Sequence, residues 1–328
     1  MSSFKPAFGL RNRHLQTLFP TLFRSKTFND FEIEAFYLED RDFVDCYWVN
    51  KPSIKETDEQ SPPIVIIFHG LTGSYRSSYI QGIMQHLSTS GYACVLMHFR
   101  GCSGRANNTA RAYHSGDTED AKSWISHVKQ TFPNSNLFAI GFSLGANMLL
   151  KMLAEYAHQS PFTAAVAISA PMKLAVSATT LNRGFARIYQ QYLLSALKKS
   201  LLLKYPHFDF PSLINLTLEK IKAIRTLEEF DELYTSKIHG FKSAQHYYQV
   251  ASADQYLREI KTNTLIINAK DDPFMHQTIL PERETLPKNI TVEFTNNGGH
   301  LGFVSGSIFK PVYWLDNRIT AFLNNKTG

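Results

Sequence analysis

Gly141-Phe142-Ser143-Leu144-Gly145 sets a serine between two glycines, directly after the apolar run LFAI (137–140) and before a stretch with helical spacing. At such a strand-to-helix bend the serine hydroxyl stands exposed at the carboxyl end of a sheet, where open α/β sheets bind ligands. The glycines let strand and helix approach without Cβ clashes while the serine takes strained backbone angles. A helix beginning at Leu144 aims free N–H groups at the same spot and favours developing negative charge there. This arrangement serves nucleophilic attack on a carbonyl. G-x-S-x-G alone recurs by chance, and the bland reading is a small-residue turn with an incidental serine. The strand before it and the helix after it favour the nucleophile.

A serine hydroxyl needs a general base at neutral pH. His300 closes Asn297-Gly298-Gly299-His300, after the apolar run TVEF and before the last helical pattern. A third group should hold the imidazole and stabilise its cation. LIINA leads into Lys270-Asp271-Asp272-Pro273, which offers two adjacent carboxylates pointing in different directions. Asp272, fixed by Pro273, is the expected partner, with Asp271 as the alternative. Ser143, Asp272 and His300 then follow one another in the order expected for a nucleophile on this scaffold. An oxyanion hole needs two backbone donors. Leu144, after the nucleophile, and Leu71, in His69-Gly70-Leu71-Thr72-Gly73, are the expected pair, with His69 read as structural. Arg100 is read as a tie between loops, and His114 and Asp117 as the start of a helix.

Positioning these groups takes a particular succession of elements. FEIEAFYLE (31–39) and DFVDCYWVN (42–50) alternate around a polar turn and predict an antiparallel hairpin. A polar linker, KPSIKETDEQSPP, follows. IVIIFHG (64–70), ACVLMHFRG (93–101), LFAIGFS (137–143) and AAVAISAP (164–171) are short apolar runs separated by helical patterns, one of them 118–133 with Thr118 as a plausible N-cap. That alternation predicts a parallel, doubly wound sheet. Over 173–260 the pattern is helical throughout, and strands resume at TLIINAKDD (264–272) and NITVEFTNNGGH (289–300), before a last helix near 312–325. The expected organisation is an α/β core of residues 1–172 and 261–328 carrying a helical cap of 173–260. The first thirty residues read as irregular, aromatic and basic, with Pro20 breaking any long helix. An arm of this kind usually packs on its own fold; the alternative is peripheral membrane contact.

Composition narrows the function. The chain has 328 residues, 44% hydrophobic and 19% charged, with 34 Lys and Arg against 28 Asp and Glu. Five basic residues precede the first acid, Asp30, so the excess of +6 makes no basic face for nucleic acid. Three cysteines and no C-x-x-C pair exclude a disulfide framework and a cysteine zinc site. The twelve histidines are scattered without metal-ligand spacing, and no phosphate-binding glycine loop occurs. No metal or other cofactor is expected. With neither a signal-peptide core nor a long apolar stretch, the expected location is cytoplasmic.

HGLTG (69–73), FRGCSG (99–104), YHSGDTEDA (113–121), GFSLGANMLLK (141–151), NAKDDPF (268–274) and NNGGHLGF (296–303), with the opening FKPAFGLRNRHLQTLFPTLF, resemble the α/β-hydrolase superfamily and, within it, the AB-hydrolase-4 group of YheT-type esterases. The resemblance implies an α/β-hydrolase fold: a mostly parallel twisted sheet with an N-terminal antiparallel hairpin and a helical cap insertion. It places the nucleophile on Ser143, the acid on Asp272 and the base on His300. It implies a carboxylesterase- or lipase-like serine hydrolase acting on a small-molecule acyl ester. The alternatives are a membrane-associated lipid hydrolase or acyltransferase, and an acyl-binding protein without turnover. Leu193, Leu194, Leu201, Leu202 and Leu203 of the cap either line an acyl channel or pack the cap onto the core.

Overall fold

The short apolar runs form strands because both of their faces find cover. In β3 (Ile64–Phe68) every residue is buried. Ile64, Ile66 and Phe68 pack on one side of the sheet and Val65 and Ile67 on the other. The computed structural model describes residues 4–24, 30–53 and 61–326. It holds one eight-stranded sheet in the order β1-β2-β4-β3-β5-β6-β7-β8. The remaining strands of that sheet are β1 (Glu32–Tyr37), β2 (Phe43–Val49), β4 (Ala93–Met97), β5 (Leu137–Phe142), β6 (Phe162–Ile168), β7 (Asn263–Ala269) and β8 (Ile290–Thr295). β1 runs antiparallel to β2, and β2 to β4. From β4 to β8 all pairings are parallel. The fold is therefore an α/β-hydrolase sheet, mostly parallel, with an antiparallel hairpin at one edge and a helical insertion. The centre of the polar linker, 54–60, lies outside the described residues.

Helices cover both faces. α3 (Glu119–Thr131) and α4 (Leu144–Tyr156) supply Trp124, Val128, Leu149 and Leu153 to one layer. α2 (Ser78–Thr89) and α12 (Trp314–Asn324) supply Ile83, Leu87, Ile319 and Leu323 to the other. Thr118 precedes α3 but does not cap it through its side chain, because its hydroxyl donates to Glu155 instead (2.7 Å). Arg100 ties the hairpin turn to α3. Its guanidinium donates twice to Asp120 (2.6 and 2.7 Å) and once to Asp42 (3.0 Å), so two buried carboxylates share one buried cation.

Between β6 and β7 the described chain is helical: α5 (Leu174–Leu181), α6 (Ala186–Lys204) and five short helices, α7 to α11, between Phe210 and Ala251. They bury an apolar cluster of their own around Leu194, Leu201, Phe210 and Tyr234. No helix among the described residues is long and apolar enough to cross a membrane.

The N-terminal segment departs from expectation. Residues 13–23 form a helix, α1, with Pro20 inside it. Asn12 caps it by accepting from the N–H groups of His14 and Leu15. The buried residues of α1, Gln16 and Pro20, face the fold. Gln16 bonds the chain of β9 (Val304–Gly306) at both backbone groups of Val304 (2.7 and 3.0 Å). Tertiary bonding of this kind outweighs the cost of proline in a helix.

Candidate active site

β5 ends one residue before Ser143, and α4 begins one residue after it. Ser143 has φ 51° and ψ −117°, a strained conformation held by its N–H bond to the carbonyl of Ile168 (2.8 Å). The flanking glycines are there because the backbones touch. A Cβ on Gly145 would lie 2.5 Å from the carbonyl oxygen of His69, and one on Gly141 would lie 2.6 Å from that of Gly145.

His300 Nε2 stands 2.9 Å from Ser143 Oγ, and His300 Nδ1 stands 2.8 Å from Asp272 Oδ2. Both His300 and Asp272 are buried. The other oxygen of Asp272 accepts the N–H of Phe274 (2.8 Å), which fixes the carboxylate plane. Asp271 turns away and accepts the N–H of Gly299 (3.0 Å), bracing the loop that carries the histidine. Burial raises its pKa above the ordinary carboxylate value. Of the two adjacent carboxylates, Asp272 is thus the one beside the imidazole.

Leu71 and Leu144 line the same cavity as Ser143 and His300. Among the described residues neither N–H has an acceptor, whereas the neighbouring donors are taken. Gly70 N–H donates to Tyr79 Oη (2.9 Å) and Thr72 N–H to Tyr113 Oη (2.9 Å). His69 is a structural pin. Its Nδ1–H donates to the Gly70 carbonyl (2.7 Å) and its Nε2 accepts from Phe99 N–H (3.1 Å). Burial lowers its pKa to about 3, so it stays neutral.

Three residues that sequence reasoning did not single out hold His300 in place. Thr17 of α1 accepts its N–H (3.0 Å). Ser169, at the end of β6, donates to its carbonyl. Phe274 stacks on the imidazole with centroids 4.0 Å apart and planes 3° apart. The G-G run before His300 is the signal that could have pointed to close packing: a Cβ on Gly299 would meet Thr17 Oγ1 at 2.6 Å.

The cavity over Ser143 has a volume of about 530 Å³, the size of a small-ligand pocket. The floor comes from the sheet edge, one wall from α1, and the roof from the helical insertion, including Leu193 and Leu197. The five leucines considered as channel residues separate here. Leu193 lines the cavity, Leu194 and Leu201 pack inside the insertion, and Leu202 and Leu203 face solvent. Helical spacing alone does not tell which face of a helix a cavity will occupy.

The fold also gathers His114, Asp117 and His239, whose potential ligand atoms lie within 4.8 Å of one another. Sequence spacing gave no hint of this set, because 122 positions separate Asp117 from His239. The Arg111 guanidinium beside the set opposes a cation there, although Asp117 Oδ2 and His239 Nε2 are buried without a hydrogen-bond partner among the described residues. Arg111 already donates to Asp117 (2.7 Å), and the His114 Nδ1 lone pair accepts Gly116 N–H (3.1 Å). Burial and the nearby Arg111, among other cations, lower the His239 pKa to about 3.

Comparison with known proteins agrees with this architecture. Residues 63–307 match the family described as alpha/beta hydrolase fold. YheT of Escherichia coli strain K12, an esterase by name, is 40% identical over 322 residues, covering 98% of this chain and 93% of its own length. Phospholipase ABHD3 of Mus musculus is 26% identical over 310 residues, covering 94% of this chain and 75% of its own. A solved esterase of Pyrococcus furiosus superposes with a TM-score of 0.61 at 20% identity, covering 91% of this chain and 92% of that one, and shares the fold. The chain belongs to the alpha/beta hydrolase fold family and, within it, to the AB-hydrolase-4 group of YheT-type proteins.

Proposed function

We propose that the protein hydrolyses carboxylic esters by two-step acyl transfer through Ser143. The observation that carries this reading is the hydrogen-bonded chain from Ser143 Oγ to His300 (2.9 Å) to Asp272 (2.8 Å) at the floor of an apolar-walled cavity. Ser143 Oγ attacks the ester carbonyl while His300 Nε2 takes its proton, and Asp272 stabilises the imidazolium. The N–H groups of Leu71 and Leu144 receive the oxyanion. His300 then protonates the leaving alcohol. It next activates the water that releases the acid and regenerates the serine. Because Nδ1 of His300 faces a carboxylate, its proton sits there and leaves Nε2 free to accept from the serine.

The helices over the cavity supply an apolar wall for the acyl portion and exclude water from the acyl-enzyme. The esterase and phospholipase names carried by relatives support an acyl ester as substrate. The test is a panel of p-nitrophenyl esters of increasing acyl length, acyl thioesters and phospholipids, assayed beside Ser143→Ala protein. Turnover of at least one acyl ester that is lost in the variant supports the reading; a folded protein inert on the whole panel contradicts it. In the same panel, Leu193→Trp narrows the acyl wall. The expected result is a fall of about tenfold in the ratio of kcat/KM for the decanoate over the butyrate, in line with the cost of overpacking. An unchanged ratio places the acyl chain elsewhere.

A further inference from the structure

We propose that the face formed by the 304–313 hairpin, α1 and α6 docks on an anionic lipid bilayer and sets the mouth of the cavity at the membrane surface. The hairpin consists of β9 and β10 (Pro311–Tyr313). The three elements lie side by side. α1 bonds β9 through Gln16 and Val304, and it meets α6 through His14 Nδ1 and Tyr189 Oη (3.1 Å). Each presents large apolar side chains to solvent. Phe8, which bridges to Ser307 of the hairpin, and Phe309 at its turn are both 89% exposed. Leu22 and Phe23 on α1 are 69% and 68% exposed, and Ile188 and Tyr192 on α6 are 58% and 74% exposed. Scattered exposed leucines are ordinary. Six large apolar residues on these three elements and the segment leading into α1 make a patch that water alone does not favour. The cavity reaches solvent at the same face, because Thr21, Ile188 and Tyr192 are at once exposed and part of its wall.

Charge identifies the occupant. Residues 4–24, 173–208 and 301–315 contain eleven of the 34 basic residues and none of the 28 acidic ones. The rest of the chain therefore has more acids than bases. Arg11, Arg13, Arg187, Lys199 and Lys310 are exposed there. Arg24 and Lys173 are paired with Asp316 and Asp254, but the five exposed cations have no ion pair among the described residues, and apolar side chains interleaved with them match a surface that is apolar beneath and anionic on top. A second copy of this chain would bring the same cations against themselves. Docking would also press α1 onto the loop it braces, through the Thr17 bond to His300.

The proposal does not depend on ester hydrolysis and is tested without it. Full-length protein is sedimented with sucrose-loaded vesicles of phosphatidylcholine alone and of phosphatidylcholine with phosphatidylglycerol, at low and at high salt. The expected result is co-sedimentation with the anionic vesicles, weakened by salt. In a Phe8→Ser, Phe309→Ser variant the partition coefficient falls by about tenfold or more, while the far-ultraviolet circular dichroism and the thermal transition are unchanged. Two results would overturn the proposal. One is wild-type protein left in the supernatant with every vesicle. The other is a protein dimeric by sedimentation velocity that the same two substitutions turn into a monomer, which would make this face a self-contact.

Discussion

Replacing Ser143 with alanine lowers kcat for a p-nitrophenyl ester by about four to six orders of magnitude and leaves KM within about threefold of wild type. The size follows from what the hydroxyl does in the proposed cycle. Without Oγ there is no acyl-enzyme, and His300 faces a methyl group. The cavity and the N–H groups of Leu71 and Leu144 remain, so substrate still binds and residual catalysis over water persists. The variant should fold normally. The strain at Ser143 resides in its backbone angles, and alanine takes the same φ of 51° at similar cost. Far-ultraviolet circular dichroism and the thermal midpoint check this. A variant that turns over esters at more than a few per cent of the wild-type rate would remove Ser143 from the chemistry.

The second large effect separates two neighbours that differ only in where they point. Asp272→Asn lowers kcat by about 10⁴-fold, whereas Asp271→Asn lowers it by less than about tenfold. An amide at 272 can place its NH₂ toward His300 Nδ1 and so favour the tautomer with the proton on Nε2, which cannot accept from Ser143. It also removes the negative charge that stabilises the imidazolium. Asp271 acts on the loop instead, through the N–H of Gly299 (3.0 Å). Its loss should appear chiefly as a lower thermal midpoint. Equal losses of kcat in the two variants would mean that the pair works as one unit, contrary to the geometry.

How much of this was legible in the sequence depends on how local each signal is. The bend at Gly141–Gly145 could be read directly, because strand, glycines, serine and helix are contiguous. The His300 loop and the Asp271-Asp272 pair were readable from strand endings and chain order. Pro273 and the family resemblance favoured Asp272 and left Asp271 as the alternative, because adjacent side chains differ in direction and direction is read only from coordinates. Helix α1 was hidden by Pro20, and the compensating bonds from Gln16 to Val304 span 288 positions. Thr17 and Ser169 support His300 across 283 and 131 positions, a distance at which periodicity carries no information. The leucines of α6 were ambiguous for another reason. The helix has apolar partners on two sides, the cavity and the interior of the insertion, so a hydrophobic stripe does not say which side a residue serves.

In the proposed cycle one serine hydroxyl is activated by one imidazole. Treatment with a fluorophosphonate, followed by peptide mapping by mass spectrometry, tests it most directly. One stoichiometric adduct is expected on the peptide containing Ser143, absent in Ser143→Ala and formed at least about a hundredfold more slowly in His300→Ala. An adduct on another residue, or undiminished labelling without His300, would contradict it.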